Sequence, residues 1–243
     1  MNSQEAKSYY ESQSFGRRIS SHGDVRQLAE EEAASYDSAI LPYLGKSDQC
    51  RIYEAATGPG LIQTWLQMRS YLKVEGSDMS SAEAQIARNI NPKIETANSL
   101  THLGSFEDNS FDAIIALDFI EHIAREDFRN FLSIAFAKLA PSGVLILRGP
   151  NGDSPFVGLN LYNDPTHIWC YTTTSLDVLH RLAGFESVIF SDDTEHRIGT
   201  WRWVKLPVRK SLRYLISKCI KASTGITLRH FGSSVYSYAF KRI

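Results

Sequence analysis

The sequence predicts a doubly wound α/β domain with a mostly parallel sheet, on three observations. Between residues 51 and 149, short apolar runs alternate with amphipathic segments, the signature of strand–helix–strand units. One run, "FDAIIALDF" at 111–119, is almost continuously apolar, as a strand buried on both faces must be. The first run empties into "EAATGPG", an acid followed by a strand-to-helix loop with glycines at 58 and 60.

In chain order, "GDVRQLAEEEAASYDSAILPYL" sets Leu28, Ala33, Tyr36, Ile40 and Leu44 near helical spacing, with Asp24 as the N-cap. Strands are expected at 51–55, 72–77, 111–119 and 143–149, with a short one at 94–97. Helices fall between them at 60–70, 80–89 and 126–139. The end of the chain changes pattern. "SLDVLHRLAGF" reads as a helix closed by Gly184, while "ESVIFS" and "SSVYSYAFKRI" read as two strands that pair antiparallel at the sheet edge, seven strands in all.

At 243 residues and 43% hydrophobic content, the chain suits one well-buried domain with appendages rather than two full-sized domains. The expected division of residues 1–243 is a helical cap at 1–46, a core at 47–194 and a basic amphipathic insertion at 195–232 before the last strand. No basic segment leads into an apolar h-region and no run reaches membrane-spanning length, so the cytoplasm is the expected compartment. Cys50, Cys170 and Cys219 lack the spacing of a disulfide framework or thiolate zinc site. The net charge of −1 hides an asymmetry: ten of the 26 Lys and Arg, and none of the 27 Asp and Glu, fall in residues 201–243. The tail therefore carries +10 and the body −11.

Ligands of a doubly wound sheet sit at the carboxyl ends of its strands, where "EAATGPG" lies. Glycines at 58 and 60 let backbone approach a ligand, and the helix behind them offers N–H groups. A dinucleotide fingerprint needs a third glycine, and the carboxylate of Glu54 disfavours a phosphate, so a ligand with a cationic group fits better. The loop resembles the first motif, [D/E]-x-G-x-G-x-G, of class I S-adenosylmethionine-dependent methyltransferases. Glu54, Gly58 and Gly60 match, and Ala56 stands in place of the first glycine. Asp78, eighteen residues past Gly60, ends the next strand, where a carboxylate accepts both ribose hydroxyls. The resemblance gives Asp78 that role, puts Met79 against the adenine, and makes Asn98 or Ser99 the reader of the adenine edge. "NSFDAIIALDFIEHI" resembles the same family's fourth-strand signature, with Asp118, Phe119, Glu121 and His122 at the strand exit beside the methyl donor. The family implies a Rossmann-like fold of seven strands with helices on both faces, and S-adenosyl-L-methionine as cofactor.

The segment "LYNDPTHIWCYTTTSL" is similar to the stretch after the fifth strand in bacterial glycan and lipopolysaccharide-type methyltransferases, as is the helix ending Ala183–Gly184–Phe185. A histidine suits removal of a hydroxyl proton, and aromatic side chains give a sugar an apolar platform. His167 is thus the first candidate base or substrate anchor and His122 the second, with Trp169 and Tyr171 nearby. Alternatively His167 caps the helix at Thr173 and the two aromatics fill the core. No metal is assigned, although Glu121, His122 and a nearby Asp could hold Mg²⁺ as in some quinone-ring O-methyltransferases. In the tail, Leu206 or Val208, Leu212, Leu215, Ile216, Cys219 and Ile220 share a helical face, and Lys205, Arg209, Lys210, Arg213, Lys218 and Lys221 take the rest. With Trp201 and Trp203 ahead, residues 205–221 read as a peripheral contact with anionic membrane at the inner face, or as a helix that packs on the core. Nucleic acid is not expected. The functions in view are O-methylation of a sugar hydroxyl in a bacterial surface glycan or its lipid-linked precursor, methylation of a quinone or other small metabolite, and an inactive subunit that keeps the cofactor fold.

Overall fold

The computed structural model describes residue 19 and residues 21–196, 202–228 and 230–242. The strands are β1 (Ile52–Ala55), β2 (Val74–Asp78), β3 (Ile94–Thr96), β4 (Phe111–Leu117), β5 (Leu139–Pro150), β6 (Ser187–Asp192) and β7 (Ser234–Phe240). They form one sheet in the order β3-β2-β1-β4-β5-β7-β6, and only β7 runs antiparallel to its neighbours. The helices are α1 (His22–Ala39), α2 (Leu61–Met68), α3 (Ser81–Arg88), α4 (Ser99–Gly104), α5 (Arg125–Lys138), α6 (Val157–Leu161), α7 (Thr173–Leu182), α8 (Asp193–His196) and α9 (Arg202–Thr224). The doubly wound, mostly parallel expectation is met, including the antiparallel edge.

Alternation along the central strands divides the core between the two faces. Tyr53, Ala55, Ile114, Ala116, Leu145 and Leu147 pack with Phe128, Phe131 and Leu132 of α5. Ile52, Ala113, Ile115, Val144 and Ile146 pack with Tyr36 and Ile40 at the end of α1 and with Trp65 and Leu66 of α2. Such burial removes each large side chain from water at about 1.5–3 kcal/mol apiece, which fixes the strand ends that carry the site.

Several local details differ from the sequence reading. Asp24 is not the N-cap of α1. Ser21 is, and Asp24 closes a capping box from the third helical position by accepting Ser21 N–H at 2.9 Å. Leu72 is exposed ahead of β2 rather than part of it. Strand β4 stops at Leu117, because Asp118 takes φ +51° and turns the chain into a short 3₁₀ turn, Ile120–His122. Helix α6 was not anticipated, since five residues between polar turns give no helical period.

Candidate active site

The cofactor end of the site is one loop held by its neighbours. Ala56, Gly58 and Gly60 all have positive φ, at 52°, 51° and 94°. Ala56 N–H donates to Ser99 Oγ at 3.0 Å, and Thr57 N–H donates to the Ser77 carbonyl at 3.1 Å. Asp78 accepts Gly58 N–H on one carboxylate oxygen and Ser80 N–H on the other, each at 2.8 Å. Its carboxyl is raised by burial, against the pull of those two bonds. Ser80, not Asp78, caps α3. A Cβ at Gly58 would meet nothing within 4 Å, so that side of the loop is open, whereas one at Gly60 would sit 2.8 Å from Ile90 Cδ1 and 3.2 Å from Ala87 Cα.

Glu54 is buried at the end of β1, and Gln63 Nε2 donates to its Oε2 at 2.7 Å. Asn91 Nδ2 fixes Gln63 in turn, donating to its Oε1 at 2.9 Å. Burial pushes the Glu54 carboxyl well above the usual carboxylate range, with the Gln63 bond opposing and the Asp78 charge adding to the rise. Such a group is ionised most easily when a cation arrives beside it. Ser99 is buried and braces the loop from below, while Asn98 caps α4 through Leu100 N–H (2.9 Å) and Thr101 N–H (3.3 Å). Asn98 Nδ2 also reaches the sulfur of exposed Met79 at 3.6 Å. Glu54 suits the cationic part expected of S-adenosylmethionine, the Asp78 carboxylate its ribose and this polar rim its adenine.

At the exit of β4, Asp118 is ion-paired with Arg148 of β5, whose Nε donates at 3.1 Å and whose Nη2 binds the second oxygen. Arg148 also donates to Tyr236 Oη at 3.3 Å. Phe119 turns its ring against Phe131, edge to face at 5.4 Å.

Beyond Phe119, two distant segments are stitched together. Ile168 N–H donates to the Glu121 carbonyl at 2.9 Å, and Trp169 Nε1–H donates to the Ile123 carbonyl at 2.8 Å. This brings His122 and His167 ring to ring, with centroids 4.7 Å apart. Thr166 Oγ1 lies 2.9 Å from His122 Nδ1, and His167 Nδ1 lies 2.9 Å from the Asn160 carbonyl. His167 Nε2 is 3.9 Å from Glu121 Oε1. Burial drives the Glu121 carboxyl well above its usual range, with the Asp118 charge second. Burial also lowers His122, to about 4, and the neighbouring His167 acts in the same direction. Sequence reasoning placed Glu121 only as part of a motif or as a Mg²⁺ ligand, and the fold makes it the floor of the histidine pair.

Two expectations on this side are corrected. Trp169 and Tyr171 cannot serve as a sugar platform, because their rings pack against Phe128 in the core. Thr172, not His167, caps α7 by accepting Ser175 N–H. The exposed aromatics are instead Phe156 and Tyr162, flanking α6 beside Asn160. Aromatic content alone does not tell a core ring from a surface one, so no signal in the sequence marked them.

In the tail, Trp201 and the side chains of Trp203, Lys205 and Leu206 lie outside the described residues. Arg209 donates to the Thr194 carbonyl at 2.7 Å, and Arg213 reaches Thr194 Oγ1 at 2.7 Å and Asp192 at 3.4 Å. These arginines dock α9 on the sheet edge. Val208, Leu212 and Leu215 remain 64%, 56% and 60% exposed, and Lys210, Lys218 and Lys221 are exposed with them. The apolar stripe is thus not packed on the core, although Ile216 and Ile220 are partly covered. Among the described residues no helix is long and apolar enough to cross a membrane.

A family model described as a methyltransferase domain matches residues 26–189. The fold is similar to a SAM-dependent methyltransferase from Archaeoglobus fulgidus (TM-score 0.67, 18% identity, 89% of this chain and 94% of that one). It is also similar to an S-adenosylmethionine-dependent methyltransferase from Mesorhizobium loti (0.57, 15%, 87% and 100%). A third likeness is to phosphoethanolamine N-methyltransferase 2 of Haemonchus contortus, solved with S-adenosyl-L-methionine (0.59, 16%, all of this chain and 59% of that one). No curated protein matches the sequence.

Proposed function

Starting from the fact that the chain belongs to the methyltransferase-domain family and uses S-adenosylmethionine, we propose that it O-methylates a hydroxyl of a sugar, in a bacterial surface glycan or its lipid-linked precursor. The carrying observation is the histidine pair at the strand exit. Because a carbonyl only accepts, the bond to Asn160 places the His167 hydrogen on Nδ1 and the lone pair on Nε2, the atom that faces Glu121. When bound, S-adenosylmethionine supplies a methyl group made electrophilic by its sulfonium. With the cofactor bound, His167 Nε2 would take the acceptor's hydroxyl proton on methyl transfer, and Glu121 would face the imidazolium that results. Phe156 and Tyr162 supply the apolar platform for the sugar, with Asp118 and Asp164 as hydrogen-bond partners for its other hydroxyls. The exposed, basic α9 favours an acceptor held at an anionic membrane, which is where lipid-linked glycans lie.

The test is incubation with labelled cofactor and a panel of extracted glycolipids, nucleotide sugars, quinones and phosphoethanolamine, read by mass spectrometry for one added methyl group. Methylation of a quinone or amine alone would replace the sugar reading with the small-molecule one. His167→Ala is expected to lower turnover about 10²-fold while cofactor affinity is retained. Full turnover in that variant would remove His167 from the mechanism.

A further inference from the structure

We infer that Glu121, His122 and His167 form a binding site for one first-row divalent ion of the zinc type. Each of the three offers a ligand atom, and these atoms lie within 4.8 Å of one another. Both imidazoles are oriented from behind. Thr166 Oγ1 gives its single hydrogen to Asp164 Oδ1 at 2.6 Å, so it accepts from His122 Nδ1, and the Asn160 carbonyl accepts from His167 Nδ1. A neutral ring held as His167 is carries its lone pair on Nε2, and a partner on the rear nitrogen is the usual support of a metal-bound histidine. The third donor is already desolvated. Glu121 is 1% exposed, and its Oε2 has no hydrogen-bond partner among the described residues, a rare condition for a buried oxygen. The main-chain bond from Ile168 and the indole bond from Trp169 keep the two ligand-bearing segments in register before any ion arrives.

The donor set selects the ion. Two imidazole nitrogens and one carboxylate suit Zn²⁺ and its first-row neighbours, whereas Mg²⁺ and Ca²⁺ prefer oxygen throughout. The acid nearest in sequence, Asp118, is engaged by Arg148 and is not counted among the ligands. With metal–ligand bonds of about 2 Å, a filled tetrahedral site needs donors about 3.3 Å apart, so the side chains close by about 1 Å as the ion enters. Three protein ligands leave a position for an outside oxygen, the pattern of catalytic rather than structural zinc. An acceptor hydroxyl in that position would be acidified by the ion and could release its proton to water, in which case His167 would serve as a ligand in place of the proton-accepting role given above. That consequence rests on the acceptor reading above, while the binding of the ion does not.

The experiment uses the full chain, stripped with chelator and titrated with Zn²⁺ by calorimetry and with Co²⁺ by visible absorption. One ion per chain is expected, with cobalt bands of low coordination number. Glu121→Gln and His167→Ala should each weaken zinc at least about tenfold, and unchanged S-adenosylmethionine binding shows that each variant is folded. Wild-type zinc binding no tighter than that of a chain carrying both Glu121→Gln and His167→Ala, with cofactor binding intact in both, overturns the inference. If zinc binds and no hydroxyl in the panel is methylated, the acceptor reading falls and the site stands. If methylation proceeds in chelator and zinc is not bound, the site falls and the acceptor reading stands.

Discussion

The two ends of the catalytic edge are built differently. At the cofactor end, every candidate residue sits at the end of its own strand or in the turn that follows: Glu54, Ala56 and Gly58 at and after the end of β1, Asp78 and Met79 at the end of β2, Asn98 and Ser99 after β3. The contacts that hold these turns run among the ends of β1, β2 and β3, which lie side by side in the sheet. At the acceptor end, the partners lie far apart along the chain. His122 meets Thr166, Asp118 meets Arg148, which in turn meets Tyr236, and Asp192 gathers Arg213, Phe231 and Gly232. A ligand common to a whole family can be held by local turns, whereas an acceptor pocket must be assembled by tertiary structure.

Legibility divides along the same line. The parallel core and the glycine loop could be read because strand periodicity and turn chemistry are local properties. Choosing between Asn98 and Ser99 required coordinates, since only packing shows that Ser99 braces Ala56 while Asn98 reaches the rim. On the acceptor side, His167 was found by its chemistry, yet its relation to Glu121 and Asn160 depends on a segment crossing over the 3₁₀ turn. The same crossing buries Trp169 and Tyr171 and leaves Phe156 and Tyr162 outside, which hydrophobicity alone cannot anticipate. In the tail, the helical stripe was legible, but the roles of its cations were not: Arg209 and Arg213 are anchors, while Lys210, Lys218 and Lys221 are exposed.

The largest expected effect tests whether the cofactor end is as self-contained as this contrast holds. Asp78→Ala removes the proposed ribose partner and also releases Gly58 and Ser80, so S-adenosylmethionine binding should weaken by about 2 to 4 kcal/mol in calorimetry. Wild-type affinity would show that the loop keeps its shape without the carboxylate, and the ribose assignment would fall.

A buried histidine elsewhere in the core gives a pH test. His180 is a fully buried residue of α7, and burial lowers it from 6.5 to about 4, its bond to the Leu176 carbonyl opposing. Between those values the unfolded chain binds a proton that the folded chain refuses, so stability is complete above pH 6.5 and falls as pH drops towards 4. The loss reaches about 3 kcal/mol. His180→Leu should flatten that fall in urea unfolding measured from pH 7 to pH 4.5. Parallel curves for variant and wild type would mean that His180 charges without penalty.

The glycines of the loop separate folding from binding within the cofactor end. Gly60→Ala forces a Cβ onto Ile90 and Ala87 at φ +94°, and should cost about 2 kcal/mol of stability. Gly58→Ala, at φ +51° with open space beside it, should cost about 1 kcal/mol and act mainly on cofactor affinity. Equal losses of melting temperature would contradict the distinction between a packed glycine and a ligand-facing one.

The smallest effect per residue belongs to α9, where the comparison can be sharpened without touching the cofactor loop. Charge reversal at Arg209 and Arg213 would undock the helix, because both hold it to Thr194, so it cannot isolate a membrane term. Lys210, Lys218 and Lys221 are exposed alongside Val208, Leu212 and Leu215, and each basic residue near an anionic surface contributes about 1 kcal/mol. Apolar burial and charge attraction act together in such a helix, so several lysines are needed to register an effect. The wild type should sediment with phosphatidylglycerol-rich vesicles at low salt, leave them at high salt, and lose this behaviour when the three lysines become glutamate, with cofactor binding unchanged in the variant. If the wild type stays in the supernatant at low salt, α9 is a cover for the sheet edge, and the support it lends to a lipid-linked acceptor disappears. If the variant sediments as well as the wild type, the apolar stripe alone carries the contact, and the basic tail needs another explanation.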